Sequence, residues 1–282
     1  MSMLNQAYFK RLWPPTLILI IIILFWYLVT LPSAGQQTVD DDYAKLVGAA
    51  AAVGQQTGFP TPHQFFSVLV KQLSDPFYDL GPNDKGIGIQ LAWSIARVAA
   101  GFGLAALVAV PLGFIIGMSR RVFEALDPFI QILKPISPLA WMPLALFILK
   151  DSNISSIFVI FICSIWPMLI NTAFGVGAVR KEWLDVSLTL EVKPLRKAIY
   201  VILPAAAPTI MTGMRISIGI AWLVIVAAEM LVGGTGIGYF VWNEWNNLSI
   251  SNILVAILAI GLIGMLLDFG FARLQKAVMY KD

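Results

Sequence analysis

The segment Arg180-Lys-Glu-Trp-Leu-Asp-Val-Ser-Leu-Thr-Leu-Glu-Val-Lys-Pro-Leu-Arg-Lys-Ala-Ile-Tyr-Val-Ile-Leu-Pro204 is a polar interruption in an apolar chain. Long apolar segments flank it, one ending near Val179 and the next beginning near Ala205. Within it Leu184, Leu188, Leu190 and Leu195 are apolar, whereas Arg180, Lys181, Lys193, Arg196 and Lys197 are basic. Glu182 and Asp185 are acids suited to a helix N-terminus, so a helix is expected to start here. Pro194 is expected to break it, and Ile199 to Leu203 to lead into the following apolar segment. Two readings fit such an amphipathic helix: it rests on lipid headgroups, or it inserts into a partner on the cytoplasmic side.

Composition sets the class. Apolar residues make up 59% of the chain and charged residues 12%, the latter about half the share found in globular domains. The formal net charge of +3 gives no reason to expect a nucleic-acid partner. Cys163 is the only cysteine, which excludes an internal disulfide framework, and His63 is the only histidine, which excludes a His/Cys metal cluster. No Walker motif, paired catalytic carboxylates or nucleophile constellation is present. The expectation is therefore no catalytic residue, no metal site and no use of ATP by this chain alone.

In chain order, Lys10 and Arg11 precede a first apolar run, Thr16 to Leu31, just long enough to cross a bilayer with Trp13 and Trp26-Tyr27 at its interfaces. A cleaved signal peptide is the alternative for this run, and retention is the reading adopted because the run exceeds the usual signal core. Residues 32–88 are read as a long extracytoplasmic connection, with short helices expected over Ala44 to Val53 and His63 to Leu73 and turn chemistry over Asp75 to Asp84. Five more spans are expected: Ile89 to Met118, Phe123 to Leu149, Ile154 to Ala178, Ala205 to Val232 and Ile253 to Phe271. Pro135, Pro138 and Pro143 make the second of these irregular. Gly113 and Gly117 form a small-xxx-small pair read as close helix packing. The fold class is an all-α membrane protein of about six transmembrane helices. It divides into 1–31, 32–88, a core over 89–272 and a tail over 273–282.

Lys10, Arg11, Arg120, Arg121, the basic residues of 180–204, Arg273, Lys276 and Lys281 fall on one side of this arrangement. Only Lys45, Lys71, Lys85 and Lys150 fall on the other, so the positive-inside rule places both termini and the 180–204 loop in the cytoplasm. Arg97, Lys134, Arg215 and Glu229 remain within the spans, where a charge in lipid costs a few kcal/mol or more, and each must face protein or water. Counted at ~1.5 Å per residue, Arg97 and Glu229 share the outer half, where a structural ion pair is the favoured reading. Lys134 and Arg215 reach similar depths near the midplane. They are expected to lack an acidic neighbour there, because Asp127 and Asp268 lie closer to the cytoplasm. For them an anion path and a bracing role, by snorkelling or by donation to carbonyls freed by prolines, stand side by side. Gly233-Gly-Thr-Gly-Ile-Gly238 follows a span and is read as a flexible outer hairpin and not as a phosphate loop.

The 180–204 segment resembles the cytoplasmic loop of ATP-binding-cassette (ABC) importer permeases, whose pattern is Glu-Ala-Ala, three residues, Gly, nine residues, Ile, one residue, Leu-Pro. Anchored on Leu203-Pro204, the acid falls on Asp185, the Ala pair on Val186-Ser187, the Gly on Glu191 and the Ile on Val201. Ser94-x-x-Arg97, Pro111-Leu-Gly113, Gly117-x-Ser-Arg120, Leu126-Asp-Pro128, Lys134-Pro-Ile-Ser-Pro-Leu-Ala-Trp141-x-Pro143, Gly213-x-Arg215 and Ala227-Ala-Glu-Met230 are similar to the permeases for nitrate, bicarbonate, sulfonates and taurine. Asp75-Pro-Phe-Tyr-Asp79 with Gly81-Pro-Asn-Asp-Lys-Gly-Ile-Gly88 resembles the nitrate and bicarbonate branch.

The resemblance implies a type I ABC importer permease of the bacterial inner membrane. It also implies a second permease copy, two ATP-binding-cassette subunits holding ATP and magnesium, and an extracytoplasmic solute-binding protein. The substrate would be a small oxyanion, with Lys134, Arg215, Arg97 and Glu229 along its path. Trp183, Asp185, Leu188, Glu191, Leu195 and Pro204 would couple to the ATPase. A sulfonate or taurine permease is the near alternative; a channel or membrane scaffold without ATP coupling is the distant one.

Overall fold

The computed structural model describes residues 2–30 and 59–278, and it is almost wholly helical. The described residues form two compact units: those up to Ser74 together with Leu248–Val255, and those of Asp75–Asn247 with Ala256 onward.

In the first unit, α1 (Ser2–Val29) carries the first apolar run, with its apolar stretch over Trp13–Val29. Helix α2 (Pro62–Ser74) realises the short helix expected after His63. It starts at a capping box. The Thr61 N–H donates to Gln64 Oε1 at 2.9 Å and the Gln64 N–H to Thr61 Oγ1 at 3.3 Å, with Pro62 at the first helical position. Trp26 ties α1 to this start by donating from Nε1 to the Pro60 carbonyl at 2.9 Å and packing against Phe59 and Phe65. The helix expected over Ala44 to Val53 lies outside the described residues.

The second unit opens on a hairpin of β1 (Asp79–Gly81) and β2 (Asp84–Lys85), which realises the turn chemistry read there. Three long helices follow the pattern of the apolar runs: α3 (Ile87–Met118), α6 (Ser152–Gly177) and α9 (Leu203–Val232). Helix α6 lies between the other two, and the interfaces are built on small residues. A Cβ on Gly101, Gly113 or Gly117 would come within 2.7 Å of Ile160, Thr172 or Val176, so α3 approaches α6 almost backbone to backbone. Gly213 does the same for α9 against Asn171. Ala105, Ile160, Met168, Ala221 and Ile225 fill the resulting core. Helix α11 (Ile250–Val278), from Ala256 onward, covers this core only lightly; Phe102 meets Phe271, and Trp222 Nε1 donates to the Ile260 carbonyl at 2.9 Å.

Residues 123–149 are not one straight helix. They form α4 (Arg120–Leu133) and α5 (Pro138–Leu149), which meet at 92°. Pro135 and Pro138 supply no N–H donors, so the ladder cannot run through Lys134–Ser137, and Pro138 starts a new helix in a new direction. Among the described residues four helices are long and apolar enough to cross a membrane, five if the bent pair counts as one; Trp13–Val29 of α1 is a shorter apolar stretch.

The polar segment forms α7 (Lys181–Thr189) and α8 (Pro194–Lys197), and one π-helical turn, Ala198–Ile202, leads into α9. Pro194 does not end α7; it starts α8. The end of α7 is set earlier, where the Val192 N–H donates to the Ser187 carbonyl at 3.0 Å and the Glu191 N–H to the Leu188 carbonyl at 2.9 Å. This is a Schellman closure, with Glu191 in the left-handed conformation at φ 50°. The resembled pattern places Gly at that position, and the backbone shows why: only glycine adopts that conformation without steric cost.

Candidate functional site

Three groups of residues offer chemistry. The first lies at the end of α9 and is buried. Arg97 Nη1 contacts Glu229 Oε1 at 2.7 Å, with side-chain exposures of 9% and 1%, so the expected outer pair is formed. Arg97 also donates to the Thr235 carbonyl at 2.6 Å and, from Nε and Nη2, to Asn153 Oδ1 at 3.0 and 2.6 Å. Glu229 further accepts from the Ser94 hydroxyl at 2.8 Å and from the Gly238 N–H at 3.0 Å. A buried charge pair survives only when its remaining donors and acceptors are met, and here they are met from four elements.

The glycine-rich segment is part of that network. Residues 233–236 turn the chain from α9 into α10 (Ile237–Asn246), and the Gly236, Ile237 and Gly238 N–H groups donate to Gln90 Oε1, Ser94 Oγ and Glu229 Oε2. A Cβ on Gly236 would collide with the Glu229 carboxylate. The segment is thus a clamp on Glu229 and not the flexible hairpin expected. Gln90 and Asn153 were missed in the sequence. Gln90, Ser94 and Arg97 stand at i, i+4 and i+7 of an otherwise apolar helix, a polar stripe that marks one buried face.

The second group corrects an expectation. Arg215 does have an acidic neighbour: its Nε and Nη2 donate to Asp268 Oδ1 and Oδ2, each at 2.7 Å, in a bidentate pair between α9 and α11. Counting depth along straight spans left Asp268 too near one end, but the offset between helices and the length of the arginine close the gap. Gln275 Nε2 donates to Thr212 Oγ1 at 2.8 Å between the same two helices, one turn away on α9 and two on α11. Lys134 sits at the α4–α5 break, exposed and, among the described residues, in no ion pair. Of the four charges read as one path, Arg97 and Glu229 pair with each other and Arg215 pairs with Asp268, while Lys134 joins neither pair.

The third group is the polar segment. Trp183, Leu188 and Leu195 are exposed, at 48%, 63% and 72%, as are Val186 and Leu190 beside them. Asp185 and Glu191 are also exposed, while Pro204 is half-buried in the first turn of α9 and helps to start that helix. Leu184 faces the other way, onto Val176, Ile202, Ala206 and Ile210. Helix α7 therefore uses one apolar side to hold itself to the core and presents another outward.

Residues 109–279 match the family described as binding-protein-dependent transport system inner membrane component. This chain belongs to that family. It is 45% identical over 226 residues to the nitrate import permease protein NrtB of Synechocystis sp., covering 80% of this permease and 82% of that one. The bicarbonate transport system permease protein CmpB of the same organism is 44% identical over 204 residues, covering 72% and 73%. The taurine transport system permease protein TauC of Escherichia coli is 32% identical over 193 residues, covering 68% and 70%. Among solved structures, an inward-facing MetNI methionine ABC transporter chain superposes with a TM-score of 0.61 at 15% identity, over 68% of this permease and 95% of that chain. The fold is accordingly that of the type I ABC importer permeases. The protein is a multi-pass membrane transport component and not an enzyme.

Proposed function

We propose that this permease is the membrane subunit of an ATP-driven importer for a small oxyanion, nitrate or nitrite or bicarbonate. One observation carries the substrate class: identity to nitrate and bicarbonate permeases runs from 42% to 46%, against 32% to the taurine permease. In this reading two copies of the permease form the path and two ATP-binding-cassette subunits hold ATP and magnesium. An extracytoplasmic solute-binding protein delivers the anion, and both termini face the cytoplasm. The outward apolar side of α7, with Trp183, Leu188 and Leu195, is the docking surface for the ATPase. Lys134 and Arg215 are the basic groups available to an anion in the membrane, and Arg97 with Glu229 frames the outer end.

Reconstitution of the whole complex into proteoliposomes tests this. Labelled nitrate, bicarbonate and taurine are supplied in turn with the binding protein, with and without ATP. ATP-dependent accumulation of nitrate or bicarbonate, and not of taurine, is the expected result. Accumulation of taurine alone would move the chain to the sulfonate branch. Anion flux that runs equally without ATP would establish a channel and overturn the importer reading.

A further inference from the structure

The two arginine–carboxylate pairs of the long helices are built for different purposes. In α3, α6, α9 and α11 the only acids are Glu229 and Asp268, and each meets one arginine. Arg97–Glu229 is sealed, with Asn153, Thr235, Ser94 and Gly238 completing its hydrogen bonds. Arg215–Asp268 is open: the side chains are 39% and 54% exposed. Among the described residues both carboxylate oxygens are held by Arg215 alone, and no hydrogen bond engages Arg215 Nη1. A charge pair this accessible on apolar helices must face water or protein and not lipid.

The geometry of the open pair is itself a recognition geometry. A guanidinium presents a planar fork that matches two oxygens on one trigonal centre. Asp268 fills that fork with a carboxylate. Bicarbonate offers the same two oxygens on a planar carbon, and nitrate offers them on a planar nitrogen. We infer that Asp268 is a built-in competitor for the transported anion: it occupies the Arg215 fork when no anion is present and is displaced by a planar trigonal oxyanion. The inference rests on the oxyanion reading above and adds a residue to it. Arg215 without a counter-ion would hold an anion too well to release it, whereas a resident carboxylate on a flexible side chain returns as the anion leaves.

Anion binding to the purified permease complex tests this without depending on transport. Nitrate, bicarbonate, acetate and sulfate are titrated separately into the detergent-solubilised complex without binding protein, at fixed ionic strength, and stabilisation against heat is recorded. Asp268→Asn keeps the shape of the side chain and removes the competing charge. The half-saturating concentrations of nitrate, bicarbonate, acetate and sulfate should each fall about two- to fivefold, the worth of a partly exposed ion pair. Arg215→Lys, which keeps the charge and loses the planar fork, should weaken the binding of all four anions. Asp268→Ser gives a second removal of the charge should the Asn variant not assemble. Unchanged half-saturation in the assembled Asn or Ser variant overturns the competitor role. Failure of both variants to assemble overturns it too, and makes the pair a brace between α9 and α11. Because acetate is among the probes, planar-anion binding is read even if nitrate and bicarbonate uptake fails, so this outcome and failure of the importer reading are told apart.

Discussion

At Glu191 a side chain stands where the backbone turns left-handed, at φ 50°, a conformation that costs a residue with a Cβ roughly 1–2 kcal/mol. Replacing it with glycine removes that cost and loosens the unfolded chain, so the net gain is smaller, below about 1 kcal/mol. Glu191→Gly should therefore leave the heat stability of the assembled permease equal or slightly higher, with ATPase stimulation kept, whereas β-branched Glu191→Val should lower it; thermal unfolding of the purified complex checks the order. Arg97 and Glu229 carry a larger stake. Truncating either strands a buried charge at roughly 3–5 kcal/mol, so Arg97→Ala and Glu229→Ala should each reduce the assembled fraction. The double variant Arg97→Met with Glu229→Met should recover only part of it, because the Gly238 N–H and Ser94 hydroxyl lose their acceptor. Chromatographic yield of intact complex measures both, and damage that simply adds would mean that the pair contributes nothing jointly.

At the scale of an element, α7 has two apolar sides with different duties. Leu184 packs on the cluster of Val176, Ile202, Ala206 and Ile210, while Leu188 projects outward at 63% exposure. An aspartate at the first position buries an unpaired charge against the core; at the second it stays solvated until a partner arrives. Leu184→Asp should lower membrane insertion and yield. Leu188→Asp should insert normally yet lose ATP hydrolysis stimulated by substrate, read as phosphate release from the reconstituted complex. Normal stimulation in the Leu188 variant would remove α7 from the docking surface. The turn between α9 and α10 is equally specific, since Gly236 lies against the Glu229 carboxylate. Gly236→Ala should open that clamp and cut assembly as deeply as loss of Glu229 itself.

For the whole molecule, the 92° meeting of α4 and α5 places Lys134 at a break in the helix, exposed and, among the described residues, outside any ion pair. Backbone freed from a helical ladder is tolerated at membrane depth only beside protein or water. In a Cys163→Ser background, Lys134→Cys should react with a membrane-impermeant thiol reagent in intact vesicles or in vesicles opened to the cytoplasmic face. Leu107→Cys, on the exposed apolar flank of α3 at 73%, should stay unlabelled. An unreactive Lys134→Cys would put the break in lipid or in a sealed interface and remove Lys134 from the path.

Residue order alone determined the helical class, the position of most spans and the amphipathic character of 180–204, because apolar length and charge placement act locally and are costly to violate in a membrane. It also determined that Arg97 and Glu229 meet, since two opposite charges at one depth have few other ways to be satisfied. Tertiary structure decided what depends on offsets between helices. Asp268 reaches Arg215 despite lying nearer one end of its span, residues 233–238 wrap a carboxylate where their composition suggested slack, and two prolines turn an expected span through 92°. Counting along straight rods carries no information about tilt, crossing or the reach of a long side chain, and each of these outcomes is set by one of them.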